Sequence, residues 1–111
     1  MVSADEDIKG KPFNLNDNIE YAIKSVVSKT LLKKNTGNLT LFSFDRGEGL
    51  TEHTSPYDAV VYILDGSAQV IIGGRPHAVK TGELFIMPAN IPHALQAEER
   101  FKMLLIMIRG Q

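Results

Sequence analysis

Most apolar runs in this chain are stopped within a few residues by Gly, Pro, Asn or Asp. AVVYIL (Ala59–Leu64) meets Asp65-Gly66, QVII meets Gly73-Gly74, and the apolar stretch after Gly82 ends at Pro88. Asn and Gly accept the left-handed angles that tight turns need, and Pro cannot donate a ladder hydrogen bond. A chain punctuated in this way makes roughly eight to ten short strands and no long helix, the pattern of a sandwich or barrel. No strand–helix–strand alternation appears, which argues against a parallel sheet.

Taken in order, residues 1–12 are polar and lack periodicity, and read as a loosely held arm before a single domain over 13–111. Phe13–Tyr21 has room for one short helical turn, with Asn16 or Asp17 as its cap. AIKSVVSKTLLKK looks helical at first sight. The Val26-Val27 pair and the absence of a sustained i, i+3, i+4 stripe favour a strand instead. Lys33–Asn38 is a turn, Leu39–Phe44 a returning strand, and Asp45–Leu50 a glycine-punctuated loop. The pair Asp65-Gly66 is a hairpin signal. Gly82–Ala97 (GELFIMPANIPHALQA) reads as a strand, a hairpin corner at Pro88–Pro92, and His93 re-entering an apolar run.

Composition excludes several function classes. A formal charge of -1 with mixed signs along the chain gives no basic stripe for nucleic acid. The absence of cysteine removes disulfides, thiolate metal sites and cysteine nucleophiles. MVSADEDIKGK has no apolar signal-peptide core, and no run approaches the ~20 residues of a membrane span. A cytoplasmic protein is the expectation. VVYIL, QVII and MLLIMI are apolar at both parities, whereas a strand wet on one face alternates. Something should therefore cover an outer face, and a homodimer is the expected cover, with the N-terminal strands or arm as the alternative.

At this point the residues resemble the cupin family, in its small conserved-barrel form. The second cupin motif, G-x5-P-x-G-x2-H-x3-N, stands here as Gly82, Pro88, Asn90, His93 and Ala97. The first, G-x5-H-x-H-x3,4-E-x6-G, stands as Gly47, His53, Ser55, Ala59 and Gly66. The resemblance covers about Leu39–Ile108. It implies an all-β double-stranded β-helix (a jelly-roll barrel) whose inner wall carries the motif histidines. Family metal sites use two histidines and a glutamate of the first motif and the histidine of the second, so only His53 and His93 carry over as strong ligands. Ser55 is a weak oxygen donor and Ala59 offers none. Glu52 and Asp58 sit one residue from motif positions, and a regular strand turns them to the opposite face.

Two readings of the histidines follow. In one, His53 and His93 hold a divalent ion (Zn, Fe, Ni, Mn or Cu), and an anionic small molecule completes its sphere. In the other they are polar residues of a pocket that binds an organic ligand. Ser55, Ala59, Tyr62 and Met87 are the pocket candidates, with Tyr62 equally suited to a dimer interface. His77, after Pro76, belongs to the surface or rim, and Met87, Met103 and Met107 read as adaptable packing. A small-molecule-binding barrel is the leading expectation, and a metal-dependent dioxygenase or isomerase the alternative.

Overall fold

The computed structural model describes residues 8–109. Among them a 3-10 turn at Asn16–Asn18 precedes nine strands: β1 (Val26–Lys34), β2 (Gly37–Phe44), β3 (Gly49–His53), β4 (Ala59–Asp65), β5 (Ser67–Ile72), β6 (Arg75–Lys80), β7 (Leu84–Met87), β8 (His93–Gln96) and β9 (Phe101–Ile108). They form two antiparallel sheets, one ordered β1-β2-β9-β4-β7 and the other β3-β8-β5-β6. This is the expected all-β jelly-roll, with its one short N-terminal turn.

Two of the expected hairpins form. β1 and β2 pair across Asn35-Thr36, and β5 and β6 pair across Gly73 and Gly74, whose φ angles of 56° and 82° suit a tight two-residue reversal. The other two do not. β4 and β5 lie in different sheets, as do β7 and β8, so Asp65-Gly66 and Pro88–Pro92 are corners between layers. Turn residues fix where a chain reverses, but which strand it then pairs with depends on which faces must be buried. Both corners still need their left-handed residue: φ is 80° at Gly66 and 65° at Asn90. At Gly66 a Cβ would also strike the Arg100 carbonyl oxygen and meet the Phe101 Cβ at 3.1 Å.

Two local expectations are corrected. The N-terminal turn is capped by neither Asn16 nor Asp17. The Asn14 side-chain oxygen accepts from the Asp17 N–H at 3.3 Å, three residues on. The segment expected as a loop through Leu50 already enters β3 at Gly49, where a Cβ would strike the Leu95 carbonyl. Glycine there serves a close strand approach, a role that sequence alone does not separate from a turn.

Between the sheets lies one apolar layer, in which Phe44, Val61, Ile63, Val70, Phe101 and Met103 are fully buried. Phe44 and Phe101 stack with centroids 4.4 Å apart, a contact type that adds about 0.5–1.5 kcal/mol beyond area burial. A second layer forms outside the five-stranded sheet, where Ile8, Leu15 and Ile19 pack with Leu31, Leu39, Leu41, Leu64 and Leu104. Hydrogen bonds pin this N-terminal segment: Ser43 Oγ donates to the Glu20 carbonyl (2.7 Å), Lys102 Nζ to the Asn16 carbonyl (2.8 Å) and Tyr21 Oη to Asp65 (2.6 Å). Of the expected arm, residues 1–7 lie outside the described residues.

The outer apolar residues of β1 and β2, and Leu104 of β9, are thus covered by the chain itself, while Ile108 is exposed. The β4–β7 part of the same face is not covered. Leu84, Tyr62 and Leu104 form one cross-strand row and Ile86, Val60 and Ile106 the next, with Leu84 and Ile86 55% and 57% exposed.

Two outcomes are expected. Gly66→Ala combines a left-handed φ with a backbone collision and should cost about 2 kcal/mol or more, seen as a fall in the urea midpoint; a variant as stable as the parent would show that the corner moves freely. The Asp45 carboxylate accepts from the Lys24 N–H at 2.7 Å and from Arg100 at 3.0 Å. These bonds, the backbone one foremost, hold its carboxyl below the usual range. Because the folded value lies below the unfolded one of about 3.9, the stabilisation is present above that pH and is lost as the pH falls through the folded value. Asp45→Asn should remove this component, flattening the urea-midpoint profile between pH 5 and pH 2.5 by comparison with the parent.

Candidate functional site

His53 closes β3 and His93 opens β8, and the two are direct cross-strand partners. Leu50 pairs with Leu95 on the same ladder, so two residues of β3, Thr51 and Glu52, lie opposite the single Ala94 of β8. The extra residue is a bulge at Thr51-Glu52. In an unbroken strand Leu50 and His53 would face opposite sides; the bulge turns both inward. The imidazole rings meet edge to face, with centroids 4.4 Å apart and planes inclined at 67°. His93 is buried at 4% exposure, whereas His53 stands exposed at the rim.

Each ring is fixed by the backbone two residues before it. His53 Nδ1 lies 2.9 Å from the Thr51 carbonyl and His93 Nδ1 3.1 Å from the Ile91 carbonyl. A carbonyl only accepts, so both Nδ1 atoms carry the proton, and in the neutral imidazole the lone pair sits on Nε2. No protein hydrogen bond involves either Nε2 among the described residues. Metal-binding and substrate-anchoring histidines are commonly prepared in this way.

The rings open onto a cavity of about 70 Å³ lined by His53, Ser55, Ala59, Met87 and His93, together with Leu50, Ala94, Leu95, Met103, Leu105 and Met107. The corner between β7 and β8 is bonded to the segment that carries Ser55. There the Asn90 N–H donates to the Ser55 carbonyl (2.7 Å) and the Ala89 N–H to Asp58 Oδ1 (2.8 Å). Ser55 Oγ accepts from the Tyr57 N–H at 3.1 Å, which leaves its own proton to donate. Apart from the two imidazoles, no acidic or basic side chain among the described residues lines the space.

Three of the four expected pocket residues, Ser55, Ala59 and Met87, are therefore brought together with the two histidines, and one is not. Tyr62 pairs with Leu84 and Leu104 on the outer face, because it alternates with the inward Val61 and Ile63. Asp58 is engaged with the Ala89 N–H, and Glu52 is exposed. His77 is exposed and lies beside Phe85, with ring centroids 5.3 Å apart. Met103, Leu105 and Met107 were not expected in the lining. Their signal was the two-residue period of FKMLLIMI counted from Phe101, which a run apolar at both parities hides.

Histidine tautomers test this arrangement. In imidazole 15N–1H correlation spectra above pH 8, His53 and His93 should both show protonated Nδ1 and bare Nε2, and His77 the ordinary mixture. A protonated Nε2 at either cavity histidine would overturn it.

Comparison with known proteins agrees with the geometry. The family model described as Cupin domain matches residues 40–109. A conserved protein of unknown function from Streptococcus pyogenes is 36% identical with a TM-score of 0.87, over 92% of this chain and 90% of that one. A cupin 2 conserved barrel domain protein from Leptotrichia buccalis is 47% identical with a TM-score of 0.85, over 87% of this chain and 47% of that one. A cupin superfamily protein from Desulfitobacterium hafniense is 28% identical with a TM-score of 0.85, over 92% and 94%. Protein SchB of Streptomyces halstedii is 25% identical over 72 residues, 64% of this chain and 52% of its own, so the chain spans about half the length of that curated relative. No helix among the described residues is long and apolar enough to cross a membrane. With both motif spacings, the two-sheet barrel and the family match in agreement, the chain belongs to the cupin family.

Proposed function

We propose that this chain is a small-ligand-binding cupin whose recognition element is the pair of Nε2 atoms on His53 and His93. The observation that supports the reading is their shared preparation: two facing imidazoles, each held in one tautomer, at the mouth of an apolar cavity. A cavity near 70 Å³ is well below the ~300–1,000 Å³ of pockets that enclose drug-sized ligands. It takes a group of a few heavy atoms, with any larger part of the ligand left outside at the His53 rim. Two Nε2 acceptors and the Ser55 hydroxyl favour a small carboxylic acid or anion, bound with a proton or cation shared between it and the rings.

The second reading places a divalent cation on the same two nitrogens. The donor set fits the family's ion poorly. Of the four motif positions, the chain has His53, Ser55, Ala59 and His93, and no group of three or more His, Cys, Asp or Glu side chains comes together among the described residues. Two neutral imidazoles leave the charge of a divalent ion uncompensated beside apolar walls, a costly arrangement. An enzyme reading, dioxygenase or isomerase, has in addition no carboxylate at the cavity to serve as a general base. The small-ligand reading is therefore preferred.

The open rows on β4 and β7 fit an assembly reading, a second copy of this chain seated on Leu84, Ile86, Val60 and Tyr62. β7 is a sheet edge, the position natural proteins otherwise protect.

Three outcomes are expected. Oxalate, formate or bicarbonate, each titrated separately, should shift the Nε2 resonances of both histidines, and a probe at tenfold its Kd should raise Tm by roughly 5 °C. Loss of this response in His53→Ala/His93→Ala supports the reading, and indifference of the parent to all three probes counts against it. Elemental analysis of tag-free protein prepared without added metal should find less than one divalent ion per chain; stoichiometric metal that the double variant loses would restore the metalloprotein reading. Light scattering should give twice the chain mass, reduced to one chain mass by Ile86→Glu; a parent that is already a monomer refutes the assembly.

A further inference from the structure

Three of the chain's four methionines, Met87, Met103 and Met107, line the same cavity as His53 and His93. Strand register explains how they meet. Ala59 on β4 pairs with Met87 on β7 and with Met107 on β9, so the inner face carries a row Met87–Ala59–Met107 opposite the two imidazoles. Ala59 occupies the position at which the cupin motif has its glutamate. The chain has thus replaced a charged oxygen donor by a methyl group and flanked it with two flexible thioethers. Met87 and Met107 stand two strand spacings apart, about 10 Å, with only the Ala59 methyl between them, a gap that two methionine side chains turned toward each other can close.

We infer that this cavity is a site for a soft monovalent cation, Cu(I), held by Nε2 of His53 and His93 and by the thioether sulfurs of Met87 and Met107. The inference rests on the proposed role of the two histidines as the anchor pair and adds the ion they would take. Charge supports it first. Every donor is neutral and the walls are apolar, and the cost of burying an ion rises with the square of its charge, so a monovalent ion is favoured over a divalent one. Donor softness supports it second: thioethers select Cu(I), whereas Mg, Ca and Mn seek carboxylate and water oxygens. Access supports it third. His53 is exposed at the rim, His93 is buried behind it at 4%, and Met87 lies deeper at 3%. This gives a path from solvent through one imidazole to the sulfurs. Met103, which pairs with Ile63 and is fully buried, serves as wall and is the natural control.

The bland explanation of three cavity methionines, two buried and Met107 half-buried, is adaptable packing, and the experiment is chosen to separate the two. Tag-free protein is titrated anaerobically with Cu(I) against the chelator bicinchoninate, and with Zn(II) in a separate series. The parent and four variants are compared: Met87→Leu/Met107→Leu, Met103→Leu, His53→Ala and His93→Ala. Met→Leu keeps volume and usually folds, which a thermal melt of each variant checks. The expected result is one Cu(I) per chain and a sulfur shell in the copper X-ray absorption spectrum. Met87→Leu/Met107→Leu should lose that shell and weaken Cu(I) by at least the ~10–100-fold that supporting residues of metal sites cost, with its zinc response unchanged. Met103→Leu should match the parent, and each histidine variant should lose Cu(I). Unaltered Cu(I) affinity in Met87→Leu/Met107→Leu would return the methionines to packing and overturn the inference, leaving the histidine pair intact. A parent that binds neither ion overturns it as well. The fate of the small-ligand reading is then decided separately by the anion titrations.

Discussion

The two sheets of this barrel share a single apolar interior, and each strand must deliver its side chains to that interior at every second residue. Nearly everything else depends on this constraint. The layer built around Phe44, Phe101, Ile63 and Met103 is fully buried, and it sets which parity of β2, β4 and β9 points inward. Once that parity is fixed, Ala59 and Met107 are committed to the cavity and Tyr62 to the outside. The site is built where the rule is broken. One extra residue in β3, at Thr51-Glu52, shifts the phase so that His53 joins Leu50 on the inner face and meets His93.

The chemistry of the site comes from what surrounds that pair. Two backbone carbonyls, of Thr51 and Ile91, take the Nδ1 protons and leave both Nε2 lone pairs facing a small apolar space. No carboxylate joins them, because Asp58 is spent on the Ala89 N–H that shapes the β7–β8 corner. The barrel therefore keeps the family's frame and half of its donor set, and has the Ala59 methyl, flanked by Met87 and Met107, where the motif has a charged oxygen. Burying a bare divalent ion against such walls would be costly.

The outer face shows the same economy. The N-terminal segment, pinned through Glu20, Asn16 and Tyr21, covers β1, β2 and Leu104 of β9, so the apolar outer positions Leu41 and Leu104 belong to a second small core. The expectation that something covers this face holds for that half through the chain's own residues, while Leu84 and Ile86 remain exposed. Sequence periodicity could say that a cover was needed. It could not say which segment supplied it, since a few apolar residues spaced along Ile8–Ile19 carry no periodic signal.

What the sequence by itself determined was local: strand content, the reversals at Gly73-Gly74 and Pro88–Pro92, the left-handed residue at Asn90, and the histidines at motif spacing. These depend on the steric preferences of single residues and on short-range patterning, which survive in any context. Tertiary structure decided the rest. Whether Asp65-Gly66 and Pro88–Pro92 made hairpins or corners, whether Tyr62 faced the cavity, and which methionines met the imidazoles all depended on strand pairing across the barrel. Register between distant strands is selected by simultaneous burial of two faces, and a run apolar at both parities leaves that choice open until its partners are in place.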